Sequence, residues 1–386
     1  MSALELPGLA NVHSHIFQRS LRGAVQRRDP ARSDSFWTWR ETMYELAGRL
    51  NAADLERVAR NAYAECLEAG YTAIGEFHYL HRLAGAEDPE DVLESSRVLL
   101  RAAAQTGIRI TLLWTVYQRG GFGRALEERQ RPFRAEDLDH VGRVLDTLQA
   151  EVDGDRAALG LAIHSVRAVP REWFGPLAEM ASSRGLVLHA HVSEQPAEIE
   201  ACLEATGLTP IALLEREGAL SERFTGVHAT WLEPEDVAIL SKTGAGVCVC
   251  PTTEGDLGDG FAPTEALNNA GVPLSIGSDS HAVIDPFSEL RALEYQARAQ
   301  AGSRCILVDE RGQVGPRLLK IGSKNGYEAL GLSSSGDRVL ISESARGMSE
   351  LGEPLGAVMT AGHPGLVERV EVAGELVVDQ GKHVSC

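Results

Sequence analysis

The chain has no window of about 18 apolar residues, so no helical membrane span is encoded. Its start lacks a charged stretch followed by an apolar core, so no export signal is expected. Positive charge is in short supply: 37 Lys and Arg face 55 Asp and Glu, a formal charge of −18. No Lys/Arg cluster offsets this balance, which argues against a nucleic-acid backbone or an anionic membrane surface as partner. Lysine is nearly absent, with only Lys242, Lys320, Lys324 and Lys382. None of them closes a β-rich run, which excludes a pair of metals bridged by a modified lysine. The six cysteines, at 66, 202, 248, 250, 305 and 386, have no framework spacing, so a disulfide scaffold is not expected and a reduced, cytoplasmic compartment is. Cys248 and Cys250 stand two apart in a strand-like run and read as core thiols, because a structural zinc pair usually has more residues between its sulfurs. Internal repeats and low-complexity tracts are missing as well.

What is present is an alternation. Hydrophobic content of 44% and charged content of 24% are ordinary for a globular protein, and 386 residues are too many for one small core. Short β-rich runs at LPGLANVHSH, YTAIGEFHY, IRITLLWTVY, ALGLAIHS, LVLHAHVSE, FTGVHATW, GAGVCVCP and PLSIGSDS are separated by amphipathic stretches at 51–69, 90–106, 135–150, 171–184, 196–217 with a break at Pro210, 234–243, 264–270 and 286–300. Eight parallel strands, each followed by a helix, close into an α/β (β/α)8 barrel, whose usual size of about 250 residues suits the span 10–300. An open doubly wound sheet is the lesser alternative. We assign 1–310 to the barrel and 311–386 to a helix plus a small β appendage: RLLKIGSKNGYEALG reads as helix, SSSGDRVLISES as loop, and EPLGAVMTAG and LVERVEVAGELVVDQGKH as strands.

The polar residues then fall into place. His13 and His15, Glu76 and His78, Tyr117, His164, His191 and Glu194, His228 and Asp279 all stand at or just past the C-terminal ends of the runs, where a barrel builds its active site. Residues i and i+2 of a strand share a face, so His13 and His15 project together and can ligate a divalent metal. A lone HxH is a weak signal, more often core histidines bonded to backbone carbonyls, and it gains weight here only because other strand ends offer the missing ligands. His191 and Asp279 would complete an N3O set, which suits Zn²⁺ with room for a water. His189, further from its strand end than His191, is left to the barrel interior. Glu194, three residues past a ligand, can serve as general acid/base or be a solvated loop carboxylate.

HSH on the first run, HVSE on the fifth, VHAT on the sixth and GSDSH on the eighth resemble the amidohydrolase superfamily. More narrowly, LPGLANVHSHIFQRSLRG, SDSFWTWRETMY, AGYTAIGEFHYLH, AIHSVRAVP, CPTTEGDLGDG and IGSDSHAV together resemble the N-formimino-L-glutamate deiminases over residues 6–300. The resemblance implies hydrolysis of N-formimino-L-glutamate to N-formyl-L-glutamate and ammonia, in histidine degradation, by attack of a zinc-bound hydroxide on the formimino carbon. It implies one zinc held by His13, His15, His191 and Asp279, with iron or manganese in its place left open. His228 would orient or deprotonate the water, Glu194 would carry a proton to the leaving nitrogen, and Asp279 would count among the catalytic groups too. Gln18, Arg40, Tyr79, His164 and Arg167 would bind the substrate, a small dianion for which arginine is well suited.

For Arg40 a surface ion pair is the plainer reading. Trp37 and Trp39 read as packing under a lid, His78 and His81 as supports of the ligands or as a polar loop, and Glu254 as part of a flexible Gly-rich loop. Relatives carry β structure before the first barrel strand, whereas MSALELPG leads straight onto the barrel. The tail strands around 353–382 are therefore expected to lack partners and to expose an edge. Two rival functions stay open: another aminohydrolase of the superfamily acting on a purine or pyrimidine, and a non-catalytic barrel scaffold. The resemblance also leaves a homodimer open.

Overall fold

The computed structural model describes residues 4–27, 35–88, 91–342 and 353–385; Cys386 and residues 343–352 of the tail lie outside them. Thirteen strands are described: β1 Leu4–Pro7, β2 Leu9–Ser14, β3 Tyr71–His78, β4 Arg109–Val116, β5 Ala157–Ser165, β6 Leu188–Val192, β7 Phe224–His228, β8 Gly246–Val249, β9 Leu274–Ile276, β10 Arg338–Ile341, β11 Val367–Val372, β12 Glu375–Asp379 and β13 Lys382–His383. Strands β2 to β9 form one parallel sheet in sequence order, and each of the eight predicted runs supplies one of them. Every residue of β3 and β4 is buried, which is why these strands are nearly continuous apolar runs rather than alternating ones. The ring closes between β9 and β2. Asp279 donates its N–H to the His13 carbonyl at 2.9 Å, and His15 donates to the Asp279 carbonyl at 2.9 Å. The seam of the barrel therefore runs through three of the residues singled out as metal ligands.

The helices end where their caps dictate. Asn51 accepts the Asp54 N–H at 2.9 Å to start Ala52–Ala69, and Gly70 stops it in the left-handed region. The expected break at Pro210 is a fresh start, with Pro210 in the first turn and Thr209 as cap of Pro210–Arg216. Among the described residues no helix is long and apolar enough to cross a membrane.

Beyond the barrel, Val314–Leu330 is helical, with a widened turn at Ile321–Asn325, and plugs the N-terminal end of the sheet. Asn325 donates to the Leu274 carbonyl at 2.8 Å, Thr111 donates to that of Leu330 at 2.8 Å, and His189 Nε2 meets that of Ala329 at 2.9 Å. His189 thus belongs to the interior, as read.

The tail departs from expectation in three ways. First, it does not lack a partner: β1 pairs antiparallel with β10, Leu6 opposite Val339, in a sheet ordered β1-β10-β11-β12-β13. Second, the stretch read as loop holds β10. Third, EPLGAVMTAG is the helix Pro354–Ala361 and not a strand, with Pro354 at its start and Gly362 past its end. The hairpin β11–β12 forms as expected, turning on Ala373 and Gly374, both at positive φ.

Candidate metal and substrate site

His13 and His15 leave β2 on the same side, as their spacing requires. Four donor atoms converge at the mouth of the barrel. His191 Nε2 is 3.1 Å from His13 Nε2 and 3.3 Å from His15 Nε2, while Asp279 Oδ1 is 3.4 Å from His13 Nε2 and 3.3 Å from His15 Nε2. His13, His15 and Asp279 thus bring one ligand atom each within 4.8 Å of one another, as do His13, His191 and His228, close enough for a shared cation.

Tautomers make the same point. His15 Nδ1 lies 2.9 Å from the Phe77 carbonyl and His191 Nδ1 lies 2.8 Å from the His164 carbonyl. A carbonyl only accepts, so both Nδ1 atoms carry hydrogen and both Nε2 atoms present lone pairs to each other. Burial disfavours the charged imidazole, lowering His15 and His191 and bringing His13 to about 3. Buried neutral imidazoles beside one carboxylate suit a cation at their centre. Burial pushes Asp279 up, but its hydrogen bond with His13 and the field of His15 outweigh this and hold it below the usual carboxylate range. The ring of Phe77 walls the cluster, 4.4 Å from His191 and 4.9 Å from His13 between centroids.

His228 and Glu194 stand beside this set. Both His228 and Asp279 have positive φ, 71° and 47°, a conformation costly for residues with a Cβ that aims their side chains back over the barrel mouth. Glu194 Oε1 is 3.7 Å from His228 Nε2, and on the other side Glu254 Oε1 is 3.3 Å from His228 Nδ1. Burial disfavours a charged His228, but the carboxylates of Glu194 and Glu254 outweigh it and hold the imidazole well above its ordinary value. Burial raises Glu194, against the pull of His228.

Glu254 is the residue the sequence reading missed. It is not on a flexible loop: it is fully buried on the helix Pro251–Leu257 and also accepts the Cys250 N–H at 2.7 Å. The signal was Pro251, a helix-starting residue directly after a strand. Glu198 was missed too; its carboxylate accepts the Glu194 N–H at 3.0 Å, so Glu194 is a held, buried group and not a solvated loop carboxylate. Cys248 and Cys250 are buried thiols, as read, and burial raises Cys250 well above its usual range.

The cluster floors a cleft of about 480 Å³, mouth included, walled by Gln18, Tyr79, His164, Arg40 and Arg167 and partly covered by Trp39, Met43 and Leu257. All five residues expected to bind substrate thus face one cavity with the four expected ligands beneath. Gln18 donates to the Tyr79 hydroxyl at 2.8 Å, leaving its Oε1 buried without a partner. Among the described residues Arg40 makes no surface ion pair: its guanidinium lies 4.5 Å over the Trp37 ring, and its Nε is buried without a hydrogen bond. Arg167 has no hydrogen-bond or ion-pair partner among the described residues either. Trp37 packs on Arg40 outside, whereas Trp39 lines the cleft. His78 and His81 point away from it, to Ser95 Oγ at 2.8 Å and the Thr115 carbonyl at 2.9 Å.

Comparison with known proteins agrees with this architecture. Residues 5–337 match the model of the amidohydrolase family. The chain is 36% identical over 390 residues to the formimidoylglutamate deiminase of Pseudomonas aeruginosa, covering 98% of this chain and 85% of that protein. It is 30% identical to the 8-oxoguanine deaminase of the same organism, over 78% of this chain and 66% of that one. An amidohydrolase from Brucella melitensis superposes with a TM-score of 0.91 at 33% identity, covering 98% and 86% of the two chains. An adenosine deaminase from Xanthomonas campestris, solved with bound zinc, shares the fold with a TM-score of 0.81 at 22% identity, over 100% of this chain and 82% of that one. A family match across most of the chain, relatives that are hydrolytic deaminases, and the strand-end cluster of histidines and aspartate agree: this chain belongs to the amidohydrolase family.

Proposed function

We propose that the chain hydrolyses N-formimino-L-glutamate to N-formyl-L-glutamate and ammonia, a step of histidine degradation. The observation that carries this reading is the pair of guanidiniums, Arg40 and Arg167, that face one cleft with no ion-pair partner among the described residues of a strongly acidic chain. Two positive groups facing one cleft beside a metal-type cluster suit a substrate with two carboxylates better than a neutral heterocycle. The similarity to a formimidoylglutamate deiminase supports the same substrate.

His13, His15, His191 and Asp279 are the residues to hold one zinc ion, which when bound supplies Lewis acidity and brings the pKa of water to about 7. The remaining work belongs to the chain. Arg40 and Arg167 fix the glutamate carboxylates, and the unpartnered Gln18 Oε1 accepts an N–H of the substrate. His228 Nε2 orients the attacking water, its ring held from behind by Glu254. Glu194, kept in reach by Glu198, takes the proton of that water and returns it to the formimino nitrogen, which leaves as ammonia. Tyr79 and His164 close the sides of the pocket.

Ammonia release from formiminoglutamate, measured beside guanine, 8-oxoguanine and cytosine and with or without a chelator, tests the proposal. Turnover of formiminoglutamate that the chelator abolishes is the expected result. Turnover of a base without turnover of formiminoglutamate would refute it, and a purified protein with no metal and no turnover would return the scaffold reading.

A further inference from the structure

The acidic balance of the chain conceals local basic stretches, and one of them follows a barrel strand. Residues 118–134, QRGGFGRALEERQRPFR, carry five arginines against two glutamates, contrary to the reading that no such cluster offsets the charge. This stretch follows β4 and borders a second cavity directly outside the substrate cleft. The two cavities share Arg40, Tyr44 and Arg167 as a common wall, and the outer one adds Arg124 and Arg129 together with the carboxylates of Glu127 and Glu198. Arg129 is paired with Glu41 and Glu127. Arg124 is exposed and has no carboxylate partner among the described residues.

The loop holds Arg124 in place. Gly120 donates to the Arg124 carbonyl at 3.1 Å, Arg124 donates back to that of Gly121 at 3.1 Å, and its guanidinium lies across Gly121, where a Cβ would meet Nε at 3.1 Å. A Cβ on Gly120 would come within 2.6 Å of the Ala125 carbonyl, so the turn has little freedom. The loop is tied inward as well: Gln130 accepts the Glu127 N–H at 3.0 Å and donates to the hydroxyls of Tyr44 at 3.0 Å and Tyr117 at 2.9 Å, both of which line the cleft.

We propose that this outer cavity is a capture site for dicarboxylate anions, in which Arg124 meets the dianion before it passes to Arg40 and Arg167, and that Arg124 is a specificity-determining residue. The inference rests on the dianionic substrate proposed above. An exposed, unpaired cation acts through a field that salt screens within about 10 Å at about 0.1 M, so its effect must be salt-dependent and must favour two negative charges over one.

The test uses the metal-loaded protein and two isosteric probes, N-formyl-L-glutamate with two charges and N-formyl-L-glutamine with one, with affinity followed by calorimetry at about 20 mM and about 200 mM salt. Arg124→Gln is expected to weaken the dianion about threefold to tenfold at low salt and much less at high salt, while the monoanion barely changes. Arg124→Lys, which keeps the charge on the same exposed loop, is expected to bind as the parent does. Parent-like affinity of Arg124→Gln at low salt, with formiminoglutamate still turned over, overturns the capture site alone. If the parent discriminates the two probes no better than twofold or binds neither, the dianion reading and the capture site fall together.

Discussion

The atoms that meet at the barrel mouth set the most direct expectations. Asp279 contributes both a donor oxygen and two backbone hydrogen bonds at the seam. Asp279→Asn keeps the backbone bonds and loses the negative charge, so zinc content measured by metal analysis should fall from about one per chain toward zero, with little change in the circular dichroism spectrum. Glu254 does not line the cleft and meets His228 Nδ1 from behind, so under the proposed function it is a positioning residue. Glu254→Gln should lower kcat about tenfold to hundredfold while KM stays near the parent value, and Glu254→Asp should recover part of the loss. A rise in KM at constant kcat would contradict that positioning role. Arg167→Gln is the complement: under the proposed function it would remove a partner of a substrate carboxylate, so KM for formiminoglutamate should rise by at least tenfold. These roles could be read from the sequence only where the partner is local. HxH shows a shared face by its spacing, but nothing near residue 254 tells that its carboxylate reaches back 26 residues to His228.

Elements were legible where period and punctuation agree. All eight barrel strands stand where the apolar runs place them, because burial on both faces of a parallel sheet leaves an unmistakable continuous run. The tail was harder. LGAVMTA is apolar and short, and period alone does not separate a short buried helix from a strand; Pro354 and Gly362 were the informative residues. β1 and β10 are four residues each and find each other across more than 300 positions, which no local pattern announces. Leu6 of β1 is buried at 2% exposure, so Leu6→Ala should cost about 2–4 kcal/mol in urea unfolding if this strand seals the appended sheet, and under about 0.5 kcal/mol if it does not. The helix Pro286–Ala301 offers a pH test. Burial raises the Glu289 carboxyl to about 8, against its hydrogen bonds from Thr252. An unfolded Glu titrates near about 4.3, so between about pH 4.3 and 8 the folded chain keeps a proton that the unfolded chain has released, and this group makes stability fall as pH rises. Glu289→Gln should flatten that decline in unfolding midpoints compared at about pH 5 and pH 8.

At the scale of the whole molecule, barrel and appended sheet are pinned by one buried ion pair. Arg109 on β4 donates from Nε to Asp337 at 2.9 Å and from Nη1 to Asp155 at 2.8 Å, and Asp337 also accepts from Tyr327 and from the Ala373 N–H at 2.8 Å. Barrel, floor helix and β sheet thus share one carboxylate. Asp337→Ala leaves a buried guanidinium short of its partner and should destabilise the fold by about 3–5 kcal/mol in chemical denaturation.

The sequence by itself determined the barrel, its strand order and the histidines, glutamate and aspartate at its open end, because strand period and helix punctuation act over a few residues and are written locally. Only the tertiary structure decided which of those groups touch: the closure of β9 on β2, the carboxylates that grip His228, the two guanidiniums that face one cleft and the pairing of β1 with the tail. Those contacts join positions far apart in the chain, and their geometry is set by how the whole ring packs rather than by any stretch of residues read alone.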